Sequence, residues 1–143
     1  MLSLTKVFRF ETAHAILGYN GACKYIHGHS YTLEVTVCDK YFQQQYIPVP
    51  GLLIDFKEIK AIVNNKIVAF FDHYLILSEA YLAEQPQLNK QQQLRVVSWE
   101  PTAENMLLFI EETLKNAFPS HVELYKLRLF ETADSFAEWQ NLV

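Results

Sequence analysis

The sequence predicts an α+β domain in which an antiparallel sheet of four strands carries two helices on one face. Three observations lead to that class. Apolar and polar residues alternate in two segments near the start, two later segments repeat their apolar residues every three to four positions, and the last part of the chain alternates again. The resulting order is β-β-α-α-β-β, with no repeat and no linker.

In the first segment Leu4, Lys6, Phe8 and Phe10 share one face and Thr5, Val7, Arg9 and Glu11 the other, as in a half-buried strand. "SYTLEVTVCD" sets Tyr31, Leu33, Val35 and Val37 against Thr32, Glu34, Thr36 and Cys38. Two antiparallel strands follow, joined by a long loop from about Ala15 to Tyr25 that contains Gly18 and Gly21. After the turn-rich "PVPG", Phe56, Ile59, Ile62, Val63, Ile67 and Phe70 fall at helical spacing, which predicts a helix over Phe56 to Phe71. Glu79 to Ser98 is polar and glutamine-rich and reads as a loop with a short helical piece at its start. Thr102 is an N-cap for a second helix, with Glu104 in the first turn, Ala103, Leu107, Ile110 and Leu114 on one stripe, and Pro119 beyond its end. Val122, Leu124, Lys126, Arg128 and Phe130 then alternate against Leu127 and Leu129, and "ETADSFAEW" supplies a turn and a last short strand.

With 143 residues, half of them apolar, the chain has enough material for one core, so residues 1–143 read as a single domain. The formal net charge is -4 and no Lys or Arg run occurs, which argues against nucleic acid and acidic membranes as partners and for a small molecule or a protein. The start lacks the pattern of a signal peptide and no apolar stretch approaches a membrane span, so the expected location is cytoplasmic. Cys23 and Cys38, the two cysteines, are expected to be free thiols.

The chemistry gathers in "ACKYIHGHSY". On a strand His27 and His29 present two imidazoles on one face, and Gly28 between them permits close approach. His14 ends the strand expected to pair with this one, so a hairpin would set it opposite them. Three neutral imidazoles without a fourth protein ligand describe a zinc site with an open position; the plain alternative is a turn with solvated histidines. Cys23 fits a fourth ligand, an activated nucleophile or base, or an inert buried thiol. Asp72-His73 pairs a carboxylate with an imidazole whose basicity it can tune, though by itself the pair is better explained as a surface helix end. Glu131 ends an apolar strand, where a carboxylate can accept two parallel N–H bonds from a heterocycle edge.

Together and in this order, "FRFETAHAI", "CKYIHGHSYTLEV", "GLLIDFKEIK", "FDH", "EPTAENMLLFI" and "LRLFET" resemble the 6-pyruvoyltetrahydropterin synthase superfamily, the pterin enzymes of the tunnelling fold. The resemblance covers nearly the whole chain. It implies trimers of β-β-α-α-β-β subunits closing into a barrel, two of which stack into a homohexamer. It also implies zinc held by His14, His27 and His29, proton transfer by Cys23, Asp72 and His73, and a pterin anchored by Glu131 with Thr102 and Glu104 as further pocket residues. Three residues separate Cys23 from His27, a spacing similar to the bacterial 6-carboxytetrahydropterin synthase branch of the queuosine pathway. The implied reaction turns 7,8-dihydroneopterin triphosphate into 6-carboxy-5,6,7,8-tetrahydropterin with release of acetaldehyde and triphosphate. Triphosphate elimination to 6-pyruvoyltetrahydropterin is the alternative within the superfamily.

Two departures stand out: Ile76-Leu77 occupies the place of a leucine-asparagine pair common in relatives, and the segments 41–50 and 79–98 are longer than a minimal member needs. Two remote readings also exist. A cupin-like site would recruit Glu34 as third ligand, although its odd separation from His29 turns it to the other strand face. A non-enzymatic zinc-stapled module would leave Cys23, His73 and Glu131 without a purpose.

Overall fold

The computed structural model describes residues 1–142 as one six-stranded mixed sheet with helices packed on it. β1 (Leu2–His14) and β2 (His27–Asp39) are long antiparallel partners, and β5 (Glu123–Thr132) and β6 (Ser135–Gln140) extend the ladder beyond β2. On the other side of β1 lie β3 (Tyr74–Ser78) and β4 (Leu94–Val97), both running parallel, so the strand order is β4-β3-β1-β2-β5-β6. The α+β class and the antiparallel meander agree with the sequence reading. Its count of four strands does not, and the segment 79–98 is no simple loop. It forms the helix α3 (Glu79–Glu84), a short 3-10 turn at Pro86–Lys90, and β4. These two extra strands carry short apolar runs that periodicity alone does not separate from a helix end.

The first predicted helix is continuous but not uniform: α1 (Phe56–Val63) passes through a π turn at Asn64–Val68 into α2 (Ala69–Phe71). Its buried residues Ile59, Val63, Ile67 and Phe71 recur every fourth position. Four residues of α-helix overshoot a full turn by about 40°, so such a stripe would rotate off the sheet; the wider π turn returns it. α4 (Ala103–Leu114) begins as expected, with the Thr102 hydroxyl accepting the Asn105 N–H at 3.2 Å.

These helices bury one face of the sheet, where Phe8, Phe10, Tyr31, Leu33, Val35, Leu127 and Leu129 meet Ile59, Ile67, Met106, Ile110 and Leu114. Phe10 sits at the centre, stacked on Tyr31 at 5.5 Å and on Phe71 at 5.3 Å between ring centroids. In β5 the alternation changes phase. Thr36 pairs with Lys126 but Val37 with Leu124, leaving Tyr125 as the extra residue of a bulge. Leu124 and Leu127 both point inward for that reason, where the sequence reading placed Lys126 and Arg128 in line with Leu124. Among the described residues no helix is long and apolar enough to cross a membrane.

Ile110 is fully enclosed between α4 and the sheet. Ile110→Ala is expected to lower the free energy of unfolding by about 2–5 kcal/mol in urea titration, and a loss below about 1 kcal/mol would contradict this packing.

Candidate metal and active site

The β1–β2 ladder sets His14 opposite His27 and Thr12 opposite His29. Directly opposed residues, and residues two apart, share a face, so the three imidazoles lie on the same face as Phe10 and Tyr31. They form the last layer of the core, at the end of the sheet. One nitrogen from each ring can be chosen so that the three lie within 4.8 Å of one another.

Backbone carbonyls fix the tautomers of two of the rings. His14 Nδ1 lies 2.6 Å from the Pro101 carbonyl and His27 Nδ1 lies 2.7 Å from that of Tyr25. Each carbonyl can only accept, so each Nδ1 carries the proton and each Nε2 presents a lone pair. The two Nε2 atoms are 3.0 Å apart. Two acceptors at that distance repel unless a cation lies beside them. The third ring sharpens the case. His29 Nε2 is buried with no hydrogen-bond partner among the described residues, and the Glu131 carboxylate is 3.5 Å away, beyond good hydrogen-bond length. A set of imidazole donors with an orphaned buried nitrogen fits a zinc ion, with room for an exogenous ligand. Burial pushes the His14 pKa down, the Pro101 hydrogen bond opposes this, and His27 adds to the depression, so His14 stays neutral and available as a donor. Tyr31 lies beneath the rings, and burial raises its phenol far above the usual range, keeping it protonated.

Two cavities flank the imidazoles. One, of about 630 Å³, is lined by Cys23, Thr102, Glu104 and Glu131 together with Phe136 and Ala137 of β6. The other, of about 460 Å³, is lined by His29, His73, Glu11 and Gly28, with Gln92 and Gln93 from the approach to β4. Asp72 and His73 follow the end of α2. The Asp72 carboxylate accepts the Glu11 N–H at 2.9 Å and faces His73 Nδ1 at 3.1 Å, so the proton sits on Nδ1 and Nε2 is left toward solvent. His73 has φ 63°, a left-handed conformation that costs a non-glycine residue roughly 1 kcal/mol.

The sequence matches the 6-pyruvoyl tetrahydropterin synthase family over residues 3–141. The chain belongs to that family. Its relatives include the 6-carboxy-5,6,7,8-tetrahydropterin synthases of Haemophilus influenzae, 31% identical with 98% of this chain and 99% of that protein covered, and of Rickettsia bellii, 30% identical with 96% and 99% covered. Among solved structures, an uncharacterised Wolinella succinogenes protein superposes with a TM-score of 0.76 at 18% identity, covering 99% of this chain and 98% of that one. The Caenorhabditis elegans 6-pyruvoyl tetrahydropterin synthase follows at a TM-score of 0.70 and 19% identity, covering 99% and 96%. These structural likenesses establish the tunnelling fold of the family.

Within this pterin synthase fold the structure brings together His14, His27 and His29, and it gathers Cys23, Glu131, Thr102 and Glu104 around one cavity. It does not bring Cys23 and the Asp72–His73 pair into the same cavity of one chain. Asp72 and His73 are both a helix end and a carboxylate–imidazole pair, so the two sequence readings were compatible. Glu34 points to the other sheet face, 3.8 Å from Arg128, and takes no part in the imidazole cluster, which removes the cupin-like arrangement. Sequence reasoning missed the carbonyls of Pro101 and Tyr25, because a backbone acceptor leaves no residue signature. It also missed Glu100, whose carboxylate accepts the Leu17 N–H at 2.7 Å and ties the Cys23 loop to the start of α4.

The purified protein is expected to bind about one zinc ion per chain, with His27→Ala and His29→Ala each losing most of it by elemental analysis. Full occupancy in both variants would reject this donor set.

Proposed function

We propose that this chain is a zinc-dependent 6-carboxy-5,6,7,8-tetrahydropterin synthase, one pterin-synthase-like domain over residues 1–143. It would convert 7,8-dihydroneopterin triphosphate and water into 6-carboxy-5,6,7,8-tetrahydropterin, acetaldehyde and triphosphate, a step toward queuosine. The observation that carries this reading is the cavity that places Cys23 and Glu131 together beside His29. The names of the relatives identical at about this level over nearly their full length support the choice of reaction.

His14, His27 and His29 would hold the metal. When bound there, a zinc ion would supply Lewis acidity that stabilises negative charge developing as a carbon-bound proton leaves. Glu131 accepts the 2-amino and N3–H edge of the pterin, a bidentate pairing that orients the ring and sets its side chain toward the imidazoles. Thr102 and Glu104, at the N-terminal turn of α4, complete that wall. Cys23 takes or returns a proton on one face of the substrate. His73 does so on the other through Nε2, with Asp72 holding Nδ1 and stabilising the imidazolium.

The active form is a homohexamer, a dimer of trimers. β4 and β6 are sheet edges without a partner among the described residues, and β6 supplies Phe136 and Ala137 to the cavity of Cys23, so strand pairing there would wall the site. Both cysteines are free, which suits a cytoplasmic enzyme.

Incubating zinc-loaded protein with 7,8-dihydroneopterin triphosphate and analysing products by mass spectrometry tests the reaction. Carboxytetrahydropterin together with acetaldehyde is expected; pyruvoyltetrahydropterin without acetaldehyde would assign the chain to triphosphate elimination instead. Cys23→Ala is expected to lower kcat by about 10²- to 10⁴-fold with zinc retained, and unchanged turnover would remove Cys23 from the chemistry. Glu131→Ala should weaken pterin binding at full zinc content, and an unaltered pterin affinity would refute its anchoring role.

A further inference from the structure

Arg95 lies on β4, in the segment 79–98, more than twenty residues along the chain from the Asp72–His73 turn. Its guanidinium donates through Nε to the Phe70 carbonyl at 3.1 Å and through Nη2 to the Ala69 carbonyl at 3.4 Å. The same group lies 4.0 Å from the Tyr74 ring centroid and 4.9 Å from that of Phe70. It therefore grips both sides of the Asp72–His73 turn, the helix before it and the strand after it.

The end of this helix has four carbonyls to satisfy, as every helix does. Val68 accepts the Asp72 N–H at 2.8 Å, and Phe71 accepts the Thr12 hydroxyl at 2.9 Å. The two between them, Ala69 and Phe70, go to Arg95. A cation at the C-terminus also complements the helix dipole. Directly after these carbonyls the chain turns through the left-handed His73, whose N–H is held by the Glu11 carbonyl at 2.7 Å. A strained turn persists only where its surroundings fix it from several sides. β1 provides one side through Glu11 and Thr12, and Arg95 provides the other.

We propose that Arg95 is a positioning residue for the reaction, setting His73 through the helix end and the Tyr74 ring without touching the substrate. This rests on the assignment of His73 as a proton-transfer group. It also gives the longer segment 79–98 a purpose, since β4 is the strand that delivers Arg95, in register with Ile76 of β3.

The test compares Arg95→Met, Arg95→Lys and His73→Gln, each zinc-loaded, with 7,8-dihydroneopterin triphosphate well below the unfolding temperature. Turnover is expressed per zinc-loaded folded chain. The His73 ring resonances, identified as those missing in His73→Gln, are followed by NMR. Arg95→Met is expected to lower kcat about 10- to 100-fold with KM within about twofold, and to shift the His73 resonances. Arg95→Lys keeps the charge and the stem, folds in the same way, and recovers part of the loss. Unshifted His73 resonances with kcat within about twofold in both Arg95 variants, while His73→Gln loses activity, would overturn the role of Arg95. Undiminished turnover in His73→Gln would overturn the proton-transfer assignment instead, and the resonances alone would then decide whether Arg95 sets the turn.

Discussion

Because His14 lies opposite His27 and Thr12 opposite His29, a slip of one residue between β1 and β2 would send His27 and His29 to the face away from His14. What prevents that slip is the core itself. Phe8, Phe10, Tyr31, Leu33 and Val35 occupy the same stripe as the imidazoles and are buried against the helices, so a slip of one residue would expose several of these side chains at about 1.5–3 kcal/mol each. The hydrophobic stripe thus enforces the geometry of a polar site that it does not itself contain. Where the helical layer ends, at Pro101 and Thr102, the stripe continues into histidine rather than leucine, and the core opens into chemistry.

The imidazoles are aimed by main-chain atoms. With the carbonyls of Pro101 and Tyr25 holding the Nδ1 protons, the Nε2 lone pairs of His14 and His27 converge at 3.0 Å. Water cannot relieve that repulsion as well as a cation can, because one water offers its two protons in fixed directions and leaves the third nitrogen unserved. No carboxylate belongs to the donor set. Three neutral donors leave the charge of a bound ion uncompensated by the protein, which favours anionic or acidifying oxygens from outside. The Glu131 carboxylate, 3.5 Å from His29 Nε2, stands outside the group of three imidazoles.

Much of this was legible from residue patterns. The two long strands announce themselves by strict alternation, the helices by their stripes, and the imidazoles by a spacing that a hairpin makes meaningful. The parts that were not legible share a physical cause. β3 and β4 are parallel strands of five and four residues, whose pairing is decided by distant partners rather than by their own period. The bulge at Tyr125 interrupts the alternation of β5 without a glycine to mark it. At the site, side chains could be nominated, but Pro101 and Tyr25 act through carbonyls, and Arg95 acts through a helix end that only the fold brings near.

The strand order explains why the chemistry spreads over two cavities. His73 precedes β3, His14 ends β1, His27 and His29 begin β2, and Glu131 lies near the end of β5; the antiparallel run of β1, β2 and β5, and the stagger that sets the start of the parallel β3 beside Thr12 near the end of β1, bring all of these to one end of the sheet. Neighbouring strands are about 4.8 Å apart, so β3 and β5 stand about 14 Å from one another with the imidazoles between them. Cys23 and Glu131 therefore approach the imidazoles from one side and His73 from the other. If Cys23 and His73 act as proposed above, a planar substrate anchored with its side chain at the middle of that row would have one of them on each flank. The Cys23 loop is held by Glu100 and the His73 turn by β1 and Arg95.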